Sequence, residues 1–170
     1  TYEEQVHGPG LLFAFPYIID EVITVPTGNV IEQTVATHYT SGSMTTLRNN
    51  GYVITADRNI AIVSASVKYV ISDPVAYALN AADISKIIDA SVSSAMVSKA
   101  AGMPVDELLT SGKDQFAHDV LSAAQSKLDR AGIGVTIGTI ELTDVGMPAE
   151  VRATYDEVNS ATVRAATMLE

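Results

Sequence analysis

The feature that most constrains the fold is a twelve-residue stretch, residues 60–71, in which every second side chain is apolar. The alternating residues are Ala61, Val63, Ala65, Val67, Tyr69 and Ile71. Because successive side chains of a β-strand point to opposite faces, this period of two places all six on one face of a strand. Such a strand needs partner strands beside it and a second layer over its apolar face.

The strand pattern recurs in four shorter segments, residues 22–25, 30–35, 52–55 and 133–142. The first two are separated by Pro26-Thr27-Gly28-Asn29, a turn sequence that predicts a hairpin. Residues 36–50 are polar and aperiodic up to the turn sequence Asn49-Asn50-Gly51, which predicts a surface loop.

Helix signals dominate from residue 73 onward. Asp73 supplies an N-cap and Pro74 a proline at the first helical position, and Asp83 precedes a second helix. A short third helix is predicted from Pro104, and a fourth follows Ser111 and ends before Gly132. Two of these helices have apolar stripes, formed by Ile84, Ile87, Ile88, Val92, Ala95 and Met96, and by Phe116, Val120, Leu121, Ala124 and Leu128. Strands, then helices, then one strand and a last helix predict an α+β fold.

The last predicted helix opens at Pro148 and runs toward Glu170. Val151, Val158 and Ala165 repeat every seven residues, and Thr154, Ala161 and Met168 occupy the position three residues later in each repeat. This pattern fits the seam of a coiled coil used for oligomerisation. It is also short enough to fit an amphipathic helix packed on its own domain, and both interpretations stay open.

A short apolar segment near the N-terminus lies between turn signals. It follows Gly8-Pro9-Gly10 and contains Leu11, Leu12, Phe13, Phe15, Tyr17 and Ile18. One interpretation is a buried edge strand, and the other is a loop inserted shallowly into a bilayer. Neither this segment nor any other apolar run approaches the roughly 18 residues that a membrane span needs.

Charge excludes one class of partner. The net charge is −10, and Glu3, Glu4, Asp20, Glu21 and Glu32 all precede the first basic residue, Arg48. Nucleic acid is a poor partner for such a surface, and electrostatic docking on anionic lipid is equally disfavoured. The chain begins at Thr1 and ends within a helical pattern, so we expect it to be an excerpt of a longer protein.

No pattern in the sequence predicts catalysis, a cofactor or a metal site. His7, His38 and His118 are far apart and lack ligand spacing, and the chain has no cysteine. A hydrolase built on His38 with Ser41 or Ser43 would lack the glycine-flanked nucleophile turn. Gly132-Ile133-Gly134 precedes a strand instead of following one, which favours a helix C-cap over a phosphate loop.

Several segments together resemble one family. Gly8-Pro9-Gly10-Leu11 with Phe15-Pro16-Tyr17 and Asp20-Glu21-Val22 is similar to the start of the SPFH (Band 7) domain in its HflK branch. The resemblance continues, in the family's order, through Thr55-Ala56-Asp57-Arg58-Asn59-Ile60, Val67-Lys68-Tyr69, Ile71-Ser72-Asp73-Pro74, Leu108-Leu109-Thr110, Gly132-Ile133-Gly134-Val135, Pro148-Ala149-Glu150-Val151 and Tyr155-Asp156-Glu157-Val158-Asn159.

The resemblance implies a partial membrane-proximal sub-domain in residues 1–25, an SPFH core in 26–146 and the start of a long helix in 147–170. It further implies a non-enzymatic scaffold without cofactors, anchored in the bacterial inner membrane with this domain in the periplasm. Its expected partners are further copies of itself or an HflC-like subunit, the membrane AAA protease FtsH and the lipid bilayer. A stomatin- or prohibitin-like organiser of lipid microdomains is the alternative.

Overall fold

The computed structural model describes residues 8, 23–37, 52–80, 83–148, 152 and 157. Their elements, in chain order, are β1 (Ile31–Ala36), β2 (Tyr52–Ile54), β3 (Ile60–Ile71), α1 (Pro74–Leu79), α2 (Ile84–Ala100), α3 (Val105–Leu109), α4 (Lys113–Ala131) and β4 (Val135–Gly146). This order confirms the predicted α+β class.

β3 is the central strand of an antiparallel sheet. β4 pairs along one edge of β3, from Val135 opposite Ile71 to Gly146 opposite Ile62. β1 and β2 lie one after the other along the opposite edge, since Ile62 pairs with Tyr52 of β2 as well as with Gly146. The predicted alternation is confirmed, because its six apolar side chains, at the odd-numbered positions from 61 to 71, are all buried.

β1 and β2 are two halves of one interrupted edge strand. Ala36 lies opposite Ser64 and Tyr52 opposite Ile62, so the gap along β3 is a single residue wide. Thr37 follows Ala36 at that gap and is buried, as the inward side of the alternation requires. Thr37 and Tyr52 therefore occupy consecutive positions along β3, and the alternation of side chains continues from β1 to β2.

Helices α2 and α4 cover one face of the sheet and close the core. The apolar stripes predicted for them are buried or half-buried, and they contact each other as well as β1, β2 and β4. The largest fully buried side chains include Phe116, Ile88, Met96, Leu108 and Leu128. Burial of such side chains against the sheet stabilises the domain by roughly 1.5–3 kcal/mol for each residue.

The predicted helix ends are confirmed where the structure describes them. Asp73 Oδ1 accepts hydrogen bonds from the amides of Val75 (3.0 Å) and Ala76 (3.1 Å) at the start of α1. Gly132 ends α4 in the left-handed conformation, with φ of 62°. Side chains with a Cβ rarely adopt this conformation, which accounts for glycine at the end of the stripe.

Two predictions need correction. The hairpin around residues 26–29 is wrong, because residues 23–30 contain a turn but no strand, and β1 pairs with β3 instead. The late strand extends to Gly146, four residues beyond the predicted end. Most of the predicted loop 36–50 lies outside the described residues. After Pro148, the structure describes Arg152 and Glu157, which are helical.

Among the described glycines, Gly134 has the least room for a side chain, and we predict that Gly134→Ala destabilises the domain. Its φ is +65°, and an added Cβ would lie 2.3 Å from the Asp73 carbonyl oxygen. We expect the free energy of unfolding to fall by about 3 kcal/mol or more. Gly138→Ala is the control, since its Cβ would meet only the Lys68 carbonyl at 3.6 Å. Denaturant unfolding that finds equal losses in the two variants would refute this account.

The interrupted strand leads to a second prediction. Deleting residues 38–51 joins Thr37 to Tyr52 in register, so the free energy of unfolding should change by less than about 1 kcal/mol. Deleting only 39–51 adds one residue and turns the buried Val53 outward, which should cost about 2 kcal/mol more. Thermal and denaturant unfolding measure both variants. Equal stability of the two deletions would contradict the shared register of β1 and β2.

Candidate interaction surface

Both contact segments predicted from the sequence lie outside the described residues. These are the membrane-proximal residues Leu11, Leu12, Phe13, Phe15, Tyr17 and Ile18, and the oligomerisation residues Val151, Thr154, Val158, Ala161, Ala165 and Met168. The start of the C-terminal helix is visible in one hydrogen bond, from the Arg152 amide to the Pro148 carbonyl at 3.1 Å. The two segments therefore remain predictions.

The described residues show no constellation for catalysis. His118 lies in an open groove along α4, with a volume of about 660 Å³, that also contains Asp129. Eleven residues of helix, about 16 Å, separate these two side chains, so they cannot act as an acid–base pair. Within the described ranges, no cluster of three His, Asp or Glu side chains could hold a metal ion. Within the same ranges, no helix is long and apolar enough to cross a bilayer.

We call the face of the sheet opposite α2 and α4 the outer face. It is formed by the even-numbered residues of β3 and by the side chains paired with them, such as Glu32 on β1 and Glu141 on β4. Its side chains are exposed at Glu32 and Glu141 but buried at Ala36 and Ser66. The exposed part of this face is available for contact.

One end of the outer face is apolar. Ile54 pairs with Ile60 and Tyr52 pairs with Ile62, so these four side chains form one contiguous group, which we call the apolar patch. Ile54 is 64% exposed, Tyr52 46% and Ile60 38%. Scattered exposed apolar residues are ordinary, but a contiguous exposed group on one face of a sheet is typical of an interaction site.

The middle of the outer face is polar and internally paired. Lys68 Nζ lies 2.8 Å from Glu141 Oε1, and Ser66 Oγ donates to Glu32 Oε1 at 2.6 Å. The hydrogen bond to Glu141, together with the attraction of Glu141 and Glu32, raises the pKa of Lys68. These pairs link side chains of β1, β3 and β4 across the sheet, and they make the middle of the outer face polar.

The turn between β2 and β3 positions the apolar patch through Asp57. Thr55 Oγ1 donates to Asp57 Oδ1 at 2.5 Å, and Asn59 Nδ2 donates to Asp57 Oδ2 at 2.8 Å. The Val105 amide, at the start of α3, lies 3.3 Å from both carboxylate oxygens. Asp57 thus caps α3, because Pro104 at the N-cap position offers no side-chain hydrogen bond.

Further contacts join the same turn to the helical layer. The Ala56 amide donates to the Met103 carbonyl at 3.0 Å. Although partial burial of Asp57 opposes ionisation, the hydrogen bonds from Thr55, Asn59 and Val105 outweigh it and lower the pKa of Asp57. The site therefore favours the charged carboxylate of Asp57. Its hydrogen bonds fix the β2–β3 hairpin that carries the apolar patch.

The sequence analysis did not identify the apolar patch or the role of Asp57. The alternation that placed Ala61 and Val63 in the core also places Ile60 and Ile62 on the opposite face, which was the available signal for the patch. Thr55, Asp57 and Asn59, spaced two residues apart, are typical of a turn held by side chains. The bond from Asp57 to Val105 had no signal, because 48 residues separate the two partners.

Comparison with known proteins identifies the family to which this architecture is similar. Residues 2–170 match the family described as SPFH domain / Band 7 family. The protein HflK of Vibrio cholerae is 25% identical over 158 residues, covering 93% of this chain and 36% of that protein. HflK of Vibrio parahaemolyticus is 24% identical over 115 residues, covering 68% and 29%, and HflK of Buchnera aphidicola is 24% identical over 115 residues, covering 68% and 28%. The chain thus spans about a third of the length of these relatives.

The Asp57 site predicts a pH-dependent contribution to stability. Asp57→Asn keeps one acceptor oxygen for Thr55 and Val105 but turns an amide NH2 toward the Asn59 Nδ2 donor, so we expect a loss of about 1 kcal/mol at neutral pH. The folded-state pKa of Asp57 lies below its ordinary value of 3.8. The stabilisation is therefore complete above about pH 4 and disappears as the pH falls through the folded-state pKa.

Denaturant unfolding between pH 3 and pH 7 tests this, with Asp144→Asn as the control at an exposed aspartate of β4. The difference between wild type and Asp57→Asn should shrink only at the acidic end. A difference that stays constant with pH would show that the charge of Asp57 is not involved.

Proposed function

The chain belongs to the SPFH domain / Band 7 family, and from this premise we propose that it is a non-enzymatic scaffold subunit of a membrane-associated assembly. The observation that carries the proposal is the family match over residues 2–170, which spans nearly the whole chain. The exposed apolar patch on the outer face supports a role that is carried out by contact surfaces.

The relatives named HflK make the proposal more specific. We place the protein in the bacterial inner membrane with this domain on the periplasmic side. There it assembles with further copies of itself or with an HflC-like subunit, and it regulates the membrane AAA protease FtsH by limiting lateral access to it. This role requires a rigid domain with contact surfaces and no chemistry in the domain itself.

The packing of the described residues suits such a role. A scaffold must hold its contact surfaces in fixed relative positions, and here Asp57 ties the hairpin of the patch to α3 while Gln125 ties α4 to β4. The Gln125 side chain accepts from the Ile137 amide at 2.8 Å and donates to the Val135 carbonyl at 3.1 Å. Residues 8–19 as a membrane contact and residues 148–170 as an oligomerisation helix complete the proposal.

A stomatin- or prohibitin-like organiser of lipid microdomains is the second candidate, and the exposed apolar patch is the observation that favours it. Flotation of the full-length protein with vesicles separates the two candidates. Loss of lipid binding in Ile54→Glu, with assembly retained, would favour the lipid organiser. Leu12→Glu with Phe13→Glu tests the other predicted membrane contact in the same assay.

The scaffold proposal predicts that large assemblies need the sequence beyond this domain. Light scattering should show defined high-mass particles for the detergent-solubilised full-length protein and a much smaller species for residues 1–170 alone, since weak contacts need tethering. Affinity purification of the full-length protein should recover a membrane AAA protease. Monomers in both forms would overturn the scaffold, and assemblies without the protease would overturn only its regulatory target.

A further inference from the structure

β4 has one edge that pairs with β3 and a second edge that pairs with no strand of the described residues. We call this second edge of β4 the free edge. Edges of natural sheets are often protected by proline or by lysine, and β4 contains neither. The free edge is therefore open to pairing with a further extended chain.

Two bulges define the regular part of the free edge. The shifts in register leave Gly138 and Thr143 without partners on β3, whereas residues 139–142 pair one for one with residues 65–68. A bulge bends its strand and interrupts pairing, so each one limits how far an added chain can follow the edge. The stretch best suited to pairing is therefore residues 139–142.

One hydrogen bond establishes which backbone groups of β4 point to the free edge. The Ile137 amide donates to the Gln125 side chain, so Ile137 and its partner Tyr69 are a non-hydrogen-bonded pair of the antiparallel sheet. Ile140 and Leu142 pair with the residues two and four positions before Tyr69. They therefore also direct an amide and a carbonyl to the free edge, where no backbone group of the described residues outside the sheet bonds to them.

The side chain of Gln125 shows what this edge accepts. Its amide accepts from the Ile137 amide at 2.8 Å and donates to the Val135 carbonyl at 3.1 Å, the two roles that a neighbouring strand would take. Asp129 Oδ1 accepts from Gln125 Nε2 at 2.6 Å and holds this side chain in place. The beginning of the free edge is thus satisfied by a side-chain amide, and the part from Ile140 to Leu142 is left for an external chain.

The free edge lies beside the groove along α4, because Gln125 lines the groove and also bonds to the edge. Three residues join α4 to β4, so the two elements run in opposite directions. From Gln125 back to His118 the helix covers about 10 Å, the same length as β4 from Ile137 to Ile140. Side chains of an added strand opposite the buried Ile140 would share its face of the sheet and enter this groove.

The two faces of an added strand would meet different chemistry. In the groove they would meet the half-buried Leu121 beside the small side chain of Ser122. On the outer face, Glu141 keeps 55% of its side chain exposed beside its ion pair with Lys68. Asp144 is exposed there and forms no ion pair with a described residue. Apolar side chains therefore suit the groove, and basic side chains suit the outer face.

From these observations we propose that the free edge of β4 and the groove along α4 bind an extended segment of another protein by strand addition. The segment forms main-chain hydrogen bonds with Ile140 and Leu142, and its side chains alternate between apolar and basic. This recognition site goes beyond the scaffold proposal and does not depend on it, because all of its groups belong to one domain.

A designed peptide tests the site. The probe is fluorescently labelled Lys-Val-Lys-Val-Lys-Val-Lys, titrated with the detergent-solubilised full-length protein and followed by fluorescence anisotropy. The comparison peptide has the same composition with its valines consecutive, so its charge is equal but its valines cannot share one face. We expect the alternating peptide to bind about tenfold more tightly.

Methylation of the peptide backbone tests whether binding uses strand pairing. One further probe carries N-methyl groups on its valines and another carries them on its lysines, so each lacks the amide donors of one edge. Strand addition uses a single edge of the probe. One methylated peptide should therefore bind about tenfold or more weakly than the other.

A matched pair of protein variants tests the groove. Ser122→Trp places a large side chain in the groove, and Ser98→Trp makes the same change at an exposed position of α2 outside it. Since both positions are exposed, both variants should fold. Ser122→Trp should weaken binding of the alternating peptide by about tenfold, and Ser98→Trp should leave it unchanged.

The opposite results would overturn the inference. Equal binding of the alternating and consecutive peptides would show attraction by net charge alone. Equal binding of the two methylated peptides would exclude strand pairing, and equal effects of the two tryptophan variants would exclude the groove. Loss of high-mass particles when the peptide is added would show that another copy of this chain occupies the edge. The first three results would leave the scaffold proposal standing, since light scattering measures assembly separately.

Discussion

Antiparallel pairing of β3 on both of its edges is the constraint on which the rest of this structure depends. β3 supplies the partners of β1, β2 and β4, so the sheet has no other centre. Its odd-numbered side chains form the floor of the core on which α2 and α4 pack. Since side chains alternate strictly, the same twelve residues also determine the outer face. The core and the outer face are thus formed by the two sides of one strand.

The position of the apolar patch depends on hydrogen bonds between residues that are distant in sequence. A movement of the β2–β3 turn would also move Ile54 and Ile60. Hydrogen bonds of Asp57 and Ala56 prevent this movement, because they attach the turn to the helical layer. The carboxylate of Asp57 supplies the cap that Pro104 cannot give to α3. The same hydrogen bonds hold the β2–β3 hairpin in place. A short helix and an exposed hairpin, each weak alone, therefore stabilise one another.

Sequence patterns predicted the helices and strands that have local signals. They failed where the pairing of strands depends on residues distant in sequence. The alternation of residues 61–71 and the caps at Asp73, Asp83 and Gly132 are local, and the structure bears them out. The hairpin around residues 26–29 was wrong because alternation marks a strand without naming its partner, and β3 is the partner of β1. The continuity of β1 and β2 depends on register along β3, which no local pattern contains. Ile60 and Ile62 had a local signal, but the patch also needs Tyr52 and Ile54 paired beside them, which no local pattern contains.

Helices α2 and α4 cover one face of the sheet, so the side chains of the outer face determine what that face can contact. Paired charges such as Lys68 with Glu141 keep most of that face polar and suited to water. The apolar exception at the β2–β3 end is small enough for a single domain to tolerate in solution. A single contact through a patch of this size would not offset the entropy lost on association. The scaffold that we propose would therefore need its subunits held together by the rest of the protein, which raises their effective concentration.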